Sequence, residues 1–294
     1  MGGLPHASKR MFVSLEEVRR NPVMKPKKSL HELVVLIRGA GEMASGVAHR
    51  LHRCHFRVCM LEIPQPLAVR REVSFCEAIY EGKKKVEGVQ ATFIESPEEI
   101  FSLWERKEIP ILIDPEGRKT IDFLKPDILV DAIMAKKNLG TKIDDAPLVI
   151  GLGPGFTAGK EVHVVIETNR GHHLGRVILE GSAEPDTGIP GEIGGYTIER
   201  LLRTPKKGIF RAQKSIGDRV TKGSVVAVVE DYPVIAQITG VLRGLLRDGV
   251  EVRRGMKVGD IDPRGKKEFC FTISEKARAI AGGVLEAILS RFNE

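Results

Sequence analysis

The stretch Leu33–Gly46, with the sequence LVVLIRGAGEMASG, joins an apolar run to a glycine turn and the start of a helical pattern. This order is typical of a buried strand that leads through a phosphate-sized loop into a helix. Gly39 can adopt the tight turn, Gly41 allows a pyrophosphate to approach the backbone, and Ala44 lets the helix lie close to the strand. The stretch predicts a nucleotide-binding turn, with a turn that only packs helix on strand as the alternative.

The segment Arg57–Glu62 is predicted to form a second strand. Its last residue, Glu62, stands where a carboxylate that binds a ribose is expected. Leu67–Val73 is then predicted to form a helix that carries Arg70 and Arg71 beside the same edge. The two arginines can clamp a phosphate or form an ordinary solvated face, and the sequence leaves both interpretations open.

Further strands and helices alternate up to residue 155, and this alternation predicts a Rossmann-like, mostly parallel α/β sheet for residues 31–155. Ligands of such sheets bind at the carboxyl ends of the strands. Asp131 ends one predicted strand, and Lys136 and Lys137 follow it in the same loop.

The next predicted strand leads into a glycine-rich loop with Gly153 and Gly155. Successive N–H groups of such a loop can bind an anion. Asp131, Lys136 and Lys137 are therefore expected to meet this loop over one anionic ligand, although the lysines can equally be solvated while Asp131 caps its own loop.

Residues 156–294 are predicted to form a β-rich domain that ends in a helix. Within it, residues 208–264 contain an echo, VTKG at 220–223 and VRRG at 252–255, that resembles the half-motifs of biotinyl and lipoyl domains. This predicts a barrel-sandwich portion, without the carrier lysine between the halves. The loop 181–195, rich in glycine and proline, is either a lid over the cleft or a linker.

The composition favours a small anionic ligand. The chain has 294 residues and a net charge of +7, but its cations are scattered and carry no nucleic-acid motif. A phosphorylated small molecule explains this charge better than DNA or RNA. No run approaches the roughly 18 to 20 apolar residues of a membrane span, and the four cysteines lack the spacing of a metal site or a disulfide scaffold. We therefore expect a cytoplasmic protein without a metal site. Residues 1–30 are expected to form a basic extension at the N-terminus.

Five motifs resemble the YqeB-type accessory proteins of selenium-dependent molybdenum hydroxylases, which are related in role to the XdhC maturation factors. The motifs are Ile37–Gly46, Pro66–Arg71, Asp131–Gly140, Gly151–Gly159 and Gly259–Arg264. The resemblance implies a cytoplasmic maturation factor for a molybdenum hydroxylase client enzyme. It also implies a molybdopterin-type cofactor or a nucleotide as ligand, but it identifies no catalytic residue.

The alternative function is an NAD(P)-dependent oxidoreductase that uses the same glycine turn for an NAD-like ligand. No acid or base suited to hydride transfer stands out on the predicted strands, which favours the maturation factor. The sequence leaves open whether the protein is an enzyme and which oligomeric state it adopts, a homo-oligomer included.

Overall fold

The computed structural model describes residues 28–293, so the predicted basic extension at residues 1–30 lies almost wholly outside the described residues. The strands are β1 (Val34–Arg38), β2 (Arg57–Glu62), β3 (Lys83–Val86), β4 (Val89–Phe93), β5 (Ile109–Ile113), β6 (Ile128–Asp131), β7 (Leu148–Leu152), β8 (Thr157–Ala158), β9 (Val164–Ile166), β10 (Val177–Ile178), β11 (Gly181–Ser182), β12 (Leu201–Arg203), β13 (Gly208–Ala212), β14 (Arg219–Val220), β15 (Val225–Val229), β16 (Tyr232–Ile235), β17 (Gly240–Leu245), β18 (Glu251–Val252) and β19 (Lys257–Asp262).

The α-helices are α1 (Glu42–Arg53), α2 (Ala78–Glu81), α3 (Ile100–Glu105), α4 (Arg118–Leu124) and α5 (Glu275–Phe292). Short 3₁₀ turns lie at Leu30–Glu32, Arg71–Val73, Phe75–Glu77, Pro97–Glu99, Ile143–Asp145, Ile198–Arg200 and Lys267–Cys270. Within residues 28–293, no helix has the length and apolar character needed to span a membrane.

Nine strands form the large sheet, in the order β10-β9-β7-β6-β1-β2-β5-β4-β3. Pairing is parallel from β9 to β4, whereas β10 and β3 join the two edges in the antiparallel sense. Every residue of β1, β6 and β7 is buried, as expected for strands covered on both faces. The sheet is therefore mixed, and its parallel strands present their carboxyl ends at one edge.

Helix α1 packs closely against α5 on one face of this sheet. Val47, Ala48 and Leu51 bury the apolar side of α1 at helical spacing. A Cβ atom added to Gly46 would lie 2.8 Å from the Cβ of Ala277, so glycine allows the two helices to touch. Ser274 caps the N-terminus of α5, and its hydroxyl accepts a hydrogen bond from the Ala277 N–H.

A second core lies between two four-stranded sheets, ordered β12-β19-β17-β14 and β16-β15-β13-β18. Apolar side chains from both sheets meet there, among them Phe210, Val226, Leu242 and Val258. The segment between β2 and β3 contacts this second core directly, because the Leu245 N–H donates a hydrogen bond to the Val69 carbonyl over 2.8 Å.

The fold class predicted from the sequence, a Rossmann-like sheet followed by a separate β-rich domain that ends in a helix, is wrong. Strands β9 and β10 follow residue 156 but extend the large sheet. Helix α5, at the end of the chain, packs on the large sheet, and its apolar face belongs to the same core as α1. The boundary placed at residue 155 falls between β7 and β9 of that sheet, and whether the two parts fold independently stays a prediction.

The helix predicted over Leu67–Val73 is also largely absent from the structure. Only Arg71–Val73 forms a helical turn. The chain before it is held against β17, where a Cβ on Gly244 would lie 2.9 Å from the Val69 carbonyl oxygen. A tertiary contact overrides the local helical preference here.

The neighbouring glycines of α5 test the packing of this helix. Gly283 faces Gly175, whose carbonyl oxygen would overlap an added Cβ, whereas the space around Gly282 is open. We expect Gly283→Ala to lower the free energy of unfolding by more than about 2 kcal/mol, because a backbone carbonyl cannot rotate away as a side chain can. Gly282→Ala should raise it by about 0.5–1 kcal/mol through helix propensity. Urea denaturation measures both, and equal effects would contradict this packing.

Candidate functional site

A cavity of about 440 Å³ lies at the carboxyl ends of β1, β2 and β6, against the glycine turn. Gly39, Gly41 and Glu62 line it together with mainly apolar side chains such as Leu61 and Leu67. The turn predicted from Leu33–Gly46 therefore borders a real cavity, and that cavity is predominantly apolar.

The protein's own groups hold the turn in place. The two carboxylate oxygens of Glu62 accept hydrogen bonds from the N–H groups of Ala40 and Ile63, each over 2.9 Å. Burial raises the pKa of Glu62, and these two hydrogen bonds oppose the shift. Gly39 has φ +95°, and a Cβ there would lie 3.0 Å from the Ala132 carbonyl oxygen. Glu62 and Gly39 thus stabilise the turn itself, at the position expected to bind a ribose or a pyrophosphate.

A second hollow, of about 340 Å³, adjoins the first, and Glu42, Met43 and Met134 line both. The two hollows are therefore neighbours, the first at the glycine turn and the second beside the second core. The cations that line this hollow are Arg70, Lys136, Arg170, Arg200, Arg203, Arg243, Lys257 and Lys276. The carboxylates that line it are Glu42, Glu184, Asp186 and Asp260. The hollow is therefore strongly cationic, and we call it the cationic cleft.

Several of these cations are neutralised by buried carboxylates. Asp260 contacts Arg200 and also accepts a hydrogen bond of 2.8 Å from the Nε of Arg243. Arg243 approaches Asp262 as well, at 3.4 Å, and Arg70 pairs with Glu42 at 3.2 Å. These pairs fix the guanidinium groups along the wall of the cationic cleft.

Three other cations of the cleft, Arg203, Lys257 and Lys276, form no ion pair within the described part of the chain. Arg203 and Lys257 are register partners on the antiparallel strands β12 and β19, so their side chains leave the sheet on the same side. Like charges directly opposite each other are destabilising.

The surroundings of the two lysines disfavour their charged forms. Burial lowers the pKa of Lys257, and the charges of Arg200 and Arg243 lower it further against the opposing effect of Asp260 and Glu42. The Lys257 side chain has protein atoms around it but remains accessible to solvent, because the hollow that it lines is open. Burial likewise lowers the pKa of the half-buried Lys276, and Arg170 and Lys257 add to the shift.

Arg70 and Arg71 take structural positions. Arg70 lines the cationic cleft, and its guanidinium donates to the carbonyl groups of Phe269 and Thr272. Arg71 donates from Nε to the Leu245 carbonyl over 2.7 Å and lies outside both hollows. Arg71 thus ties this segment to the second core, and Arg70 ties it to the segment before α5, contacts that neither interpretation from sequence anticipated.

Asp131 is buried in a polar cluster of its own. It accepts a hydrogen bond of 2.6 Å from the Thr141 hydroxyl and lies 3.3 Å from the Arg38 guanidinium. Burial raises the pKa of Asp131, against the opposing effect of these two partners. The carboxylate is thus directed into the protein and lines neither hollow.

The loop after Asp131 does meet the glycine loop, through its backbone. A Cβ on Gly155 would lie 2.6 Å from the Lys137 nitrogen, and one on Gly153 would overlap the Thr168 hydroxyl. Lys136 lines the cationic cleft and pairs with Asp186, whereas the Lys137 side chain is exposed outside it.

The structure therefore brings together only part of the predicted set. Gly39, Gly41 and Glu62 line the apolar cavity, and Arg70 and Lys136 line the cationic cleft. The remaining predicted residues line neither: Ala44, Arg71, Asp131, Lys137, Gly153 and Gly155. Their role in binding a ligand stays a prediction.

Sequence reasoning missed most of the cationic cleft. Apart from Arg70 and Lys136, its cations come from positions between 170 and 276, and their only sign in the sequence is the net charge of +7. The segment from Glu184 to Gly191, within the loop predicted as a lid or a linker, borders the same cleft. In the part of the chain that the structure describes, no three His, Cys, Asp or Glu side chains are grouped to hold a metal ion.

No protein-family model matches this sequence. Among curated proteins, the chain is similar to the uncharacterized protein YqeB of Escherichia coli K12. The two are 50% identical over 272 residues, which cover 92% of this chain and 50% of that protein. The chain thus spans about half the length of the curated relative it matches. The predicted resemblance to YqeB is confirmed at the level of sequence, and it brings no function with it.

Solved structures with weak likeness include an aspartoacylase family protein from Mesorhizobium loti (13% identity, TM-score 0.26, covering 78% of this chain and 84% of that one). A succinylglutamate desuccinylase/aspartoacylase from Rhodobacter sphaeroides has 15% identity and a TM-score of 0.24, covering 78% and 85%. The ectoine utilization protein EutE from Ruegeria pomeroyi has 13% identity and a TM-score of 0.23, covering 78% and 86%. Likeness at this level transfers neither activity nor substrate to this chain.

The predicted function is corrected together with the fold. The Rossmann-like domain on which it depended is wrong, because β9, β10 and α5 join the same sheet and core as β1 and α1. The comparisons give no support to a selenium-dependent molybdenum hydroxylase accessory factor or to an NAD(P)-dependent oxidoreductase. We therefore propose neither function for this chain.

The role of Asp131 can be decided by substitution. Asp131→Ala should lower the free energy of unfolding by about 3–5 kcal/mol, because it leaves the Arg38 charge buried without its carboxylate. Asp122→Ala, which removes an exposed carboxylate paired with Lys125, should change it by less than about 1 kcal/mol. Urea denaturation measures both variants. Unchanged stability of Asp131→Ala would return this carboxylate to the set of free ligand-binding groups.

Proposed function

We propose that this protein binds a small molecule that joins an apolar or planar part to a phosphate or other polyanionic part. The apolar part would lie in the cavity at Gly39 and Gly41, and the anionic part in the cationic cleft. Support comes from Glu42, Met43 and Met134, which line both hollows and so place them side by side. Each hollow falls in the size range of small-molecule sites.

The observation that carries this proposal is the cross-strand pair of Arg203 and Lys257, with Lys276 beside it. Three cations without a carboxylate partner among residues 28–293 share one cleft, and two of them are direct register partners. The repulsion between like charges directly opposite each other opposes folding in the absence of a counterion. An anion in the cleft would relieve this cost, so the arrangement favours anion binding.

The network behind these cations supports binding to phosphate in particular. Asp260 fixes Arg200 and Arg243 in the wall, and the guanidinium group suits phosphate through its fixed, planar donors. Backbone N–H groups at the start of α1 add a favourable dipole at the junction of the two hollows.

Charge removal tests the proposal. Arg203→Met and Lys257→Met should each weaken binding of inorganic pyrophosphate or ADP on the order of tenfold, which corresponds to the loss of about one charge-assisted hydrogen bond. Isothermal titration calorimetry at low ionic strength measures the affinity. Lys222→Met, which removes an exposed lysine outside the cleft, is the matched control. Equal affinity in all three variants would contradict anion binding at this cleft.

The pH dependence of binding supplies a second test. Because the pKa values of Lys257 and Lys276 lie below the usual 10.5, these lysines lose their charge before ordinary lysines do as the pH rises. Affinity for ADP, whose phosphates are fully ionised above neutral pH, should therefore fall with rising pH in that window. The double variant Lys257→Arg and Lys276→Arg should flatten the profile, since arginine stays protonated. A decline that persists in this variant would assign the titration elsewhere.

A further inference from the structure

Residues 184–191 border the cationic cleft along their whole length, and we call this segment the strap. Buried apolar residues stand at both of its ends, Ala183 before it and Ile193 shortly after it. Residues 184–189 between them are exposed. The strap is therefore a surface segment between two points that are fixed in the fold.

Hydrogen bonds hold the two ends of the strap. The Glu184 N–H donates to the buried carboxylate of Glu167 over 2.8 Å. At the other end, the Gly191 carbonyl accepts a hydrogen bond from the Arg200 guanidinium over 3.1 Å. Arg200 itself lines the cationic cleft, so this second anchor belongs to the wall of the cleft.

A single ion pair holds the middle of the strap in the described part of the chain. Asp186 pairs with Lys136, and no other hydrogen bond or ion pair joins residues 185–190 to described residues outside the strap. The hydrogen bond from Lys136 lowers the pKa of Asp186, and the charge of Lys276 acts in the same direction. Asp186 thus places a carboxylate among the cations that the cleft offers to a ligand.

We propose that Asp186 is an internal competitor for the cationic cleft, and that an entering anion takes the place of its carboxylate at Lys136. This inference rests on the proposed function, because it concerns the same cleft and the same class of ligand. The exchange requires movement of the strap alone, since β12, β17, β19 and α5 carry other cations of the cleft in packed parts of the fold.

The exposure of the pair between Lys136 and Asp186 suits this role. The two side chains are 55% and 39% exposed, and an ion pair of this kind is weak because water screens it. A pyrophosphate carries more charge and more acceptor oxygens than one carboxylate, so it interacts more strongly with the same cations. The competitor therefore weakens binding only by the fraction of molecules in which Lys136 is free of Asp186.

A double-mutant cycle tests this inference. Isothermal titration calorimetry measures pyrophosphate binding to the full chain with Asp186→Asn, with Lys136→Met and with both changes. We expect Asp186→Asn alone to tighten binding about two- to fivefold, the range that an exposed ion pair accounts for. In the Lys136→Met background the same change should have no effect, because the partner of the carboxylate is gone. Asp186→Glu, which keeps the charge, should bind pyrophosphate like the unmodified chain.

Glu184→Gln is the matched control. It removes another carboxylate that lines the cleft, but one that accepts a hydrogen bond from Asn169 and does not pair with Lys136. A gain in affinity from Asp186→Asn that persists beside Lys136→Met would overturn the competitor, since the cause would then be the overall charge of the cleft. An equal gain from Glu184→Gln would overturn it for the same reason.

The outcomes separate this inference from the function on which it rests. Pyrophosphate binding that Arg203→Met weakens but Asp186→Asn leaves unchanged would overturn the competitor and leave anion binding at the cleft intact. Pyrophosphate binding that is measurable only after Asp186→Asn would support both. Absence of binding in every variant would overturn both proposals.

Discussion

The close contact between α1 and α5 is the constraint on which the rest of the structure depends. Gly46 and Ala277 let the helices touch, and Gly283 brings α5 against the backbone of Gly175. These contacts return the end of the chain to the large sheet. They also bring the first turn of α5, with Lys276, and the first turn of α1, with Glu42, to the same cleft. The packing of the two helices thus helps to form the cationic cleft.

The cations of the cleft differ in whether a carboxylate neutralises them, and their burial explains the difference. Asp260 neutralises Arg200 and Arg243 in the wall, whose buried charges would be strongly destabilising without a partner. Arg203, Lys257 and Lys276 have no such partner in the described residues, and each has some access to water. Fixed guanidinium groups and cations without an ion pair together give the cleft a surface suited to anions.

Local parts of this fold could be predicted from the sequence, whereas the cleft could not. The strand, turn and helix around Gly39 follow from an apolar run, glycines and helical spacing, all within fourteen residues of one another. Arg70 and Arg71 take structural positions because backbone carbonyls far along the chain bind them, those of the segment before α5 and of β17. The meeting of Arg203 with Lys257 depends on strand register between β12 and β19. No periodicity in a single segment encodes that register.

The glycine contacts of α5 also have a consequence for how a ligand would be received. Because backbone atoms meet directly at Gly175 and Gly283, the helix cannot slide or tilt without separating packed groups. The walls of the cleft are therefore preorganised, and an entering molecule spends little of its binding energy on ordering them. Discrimination between ligands would then come from how well their shape and charge fit a fixed surface.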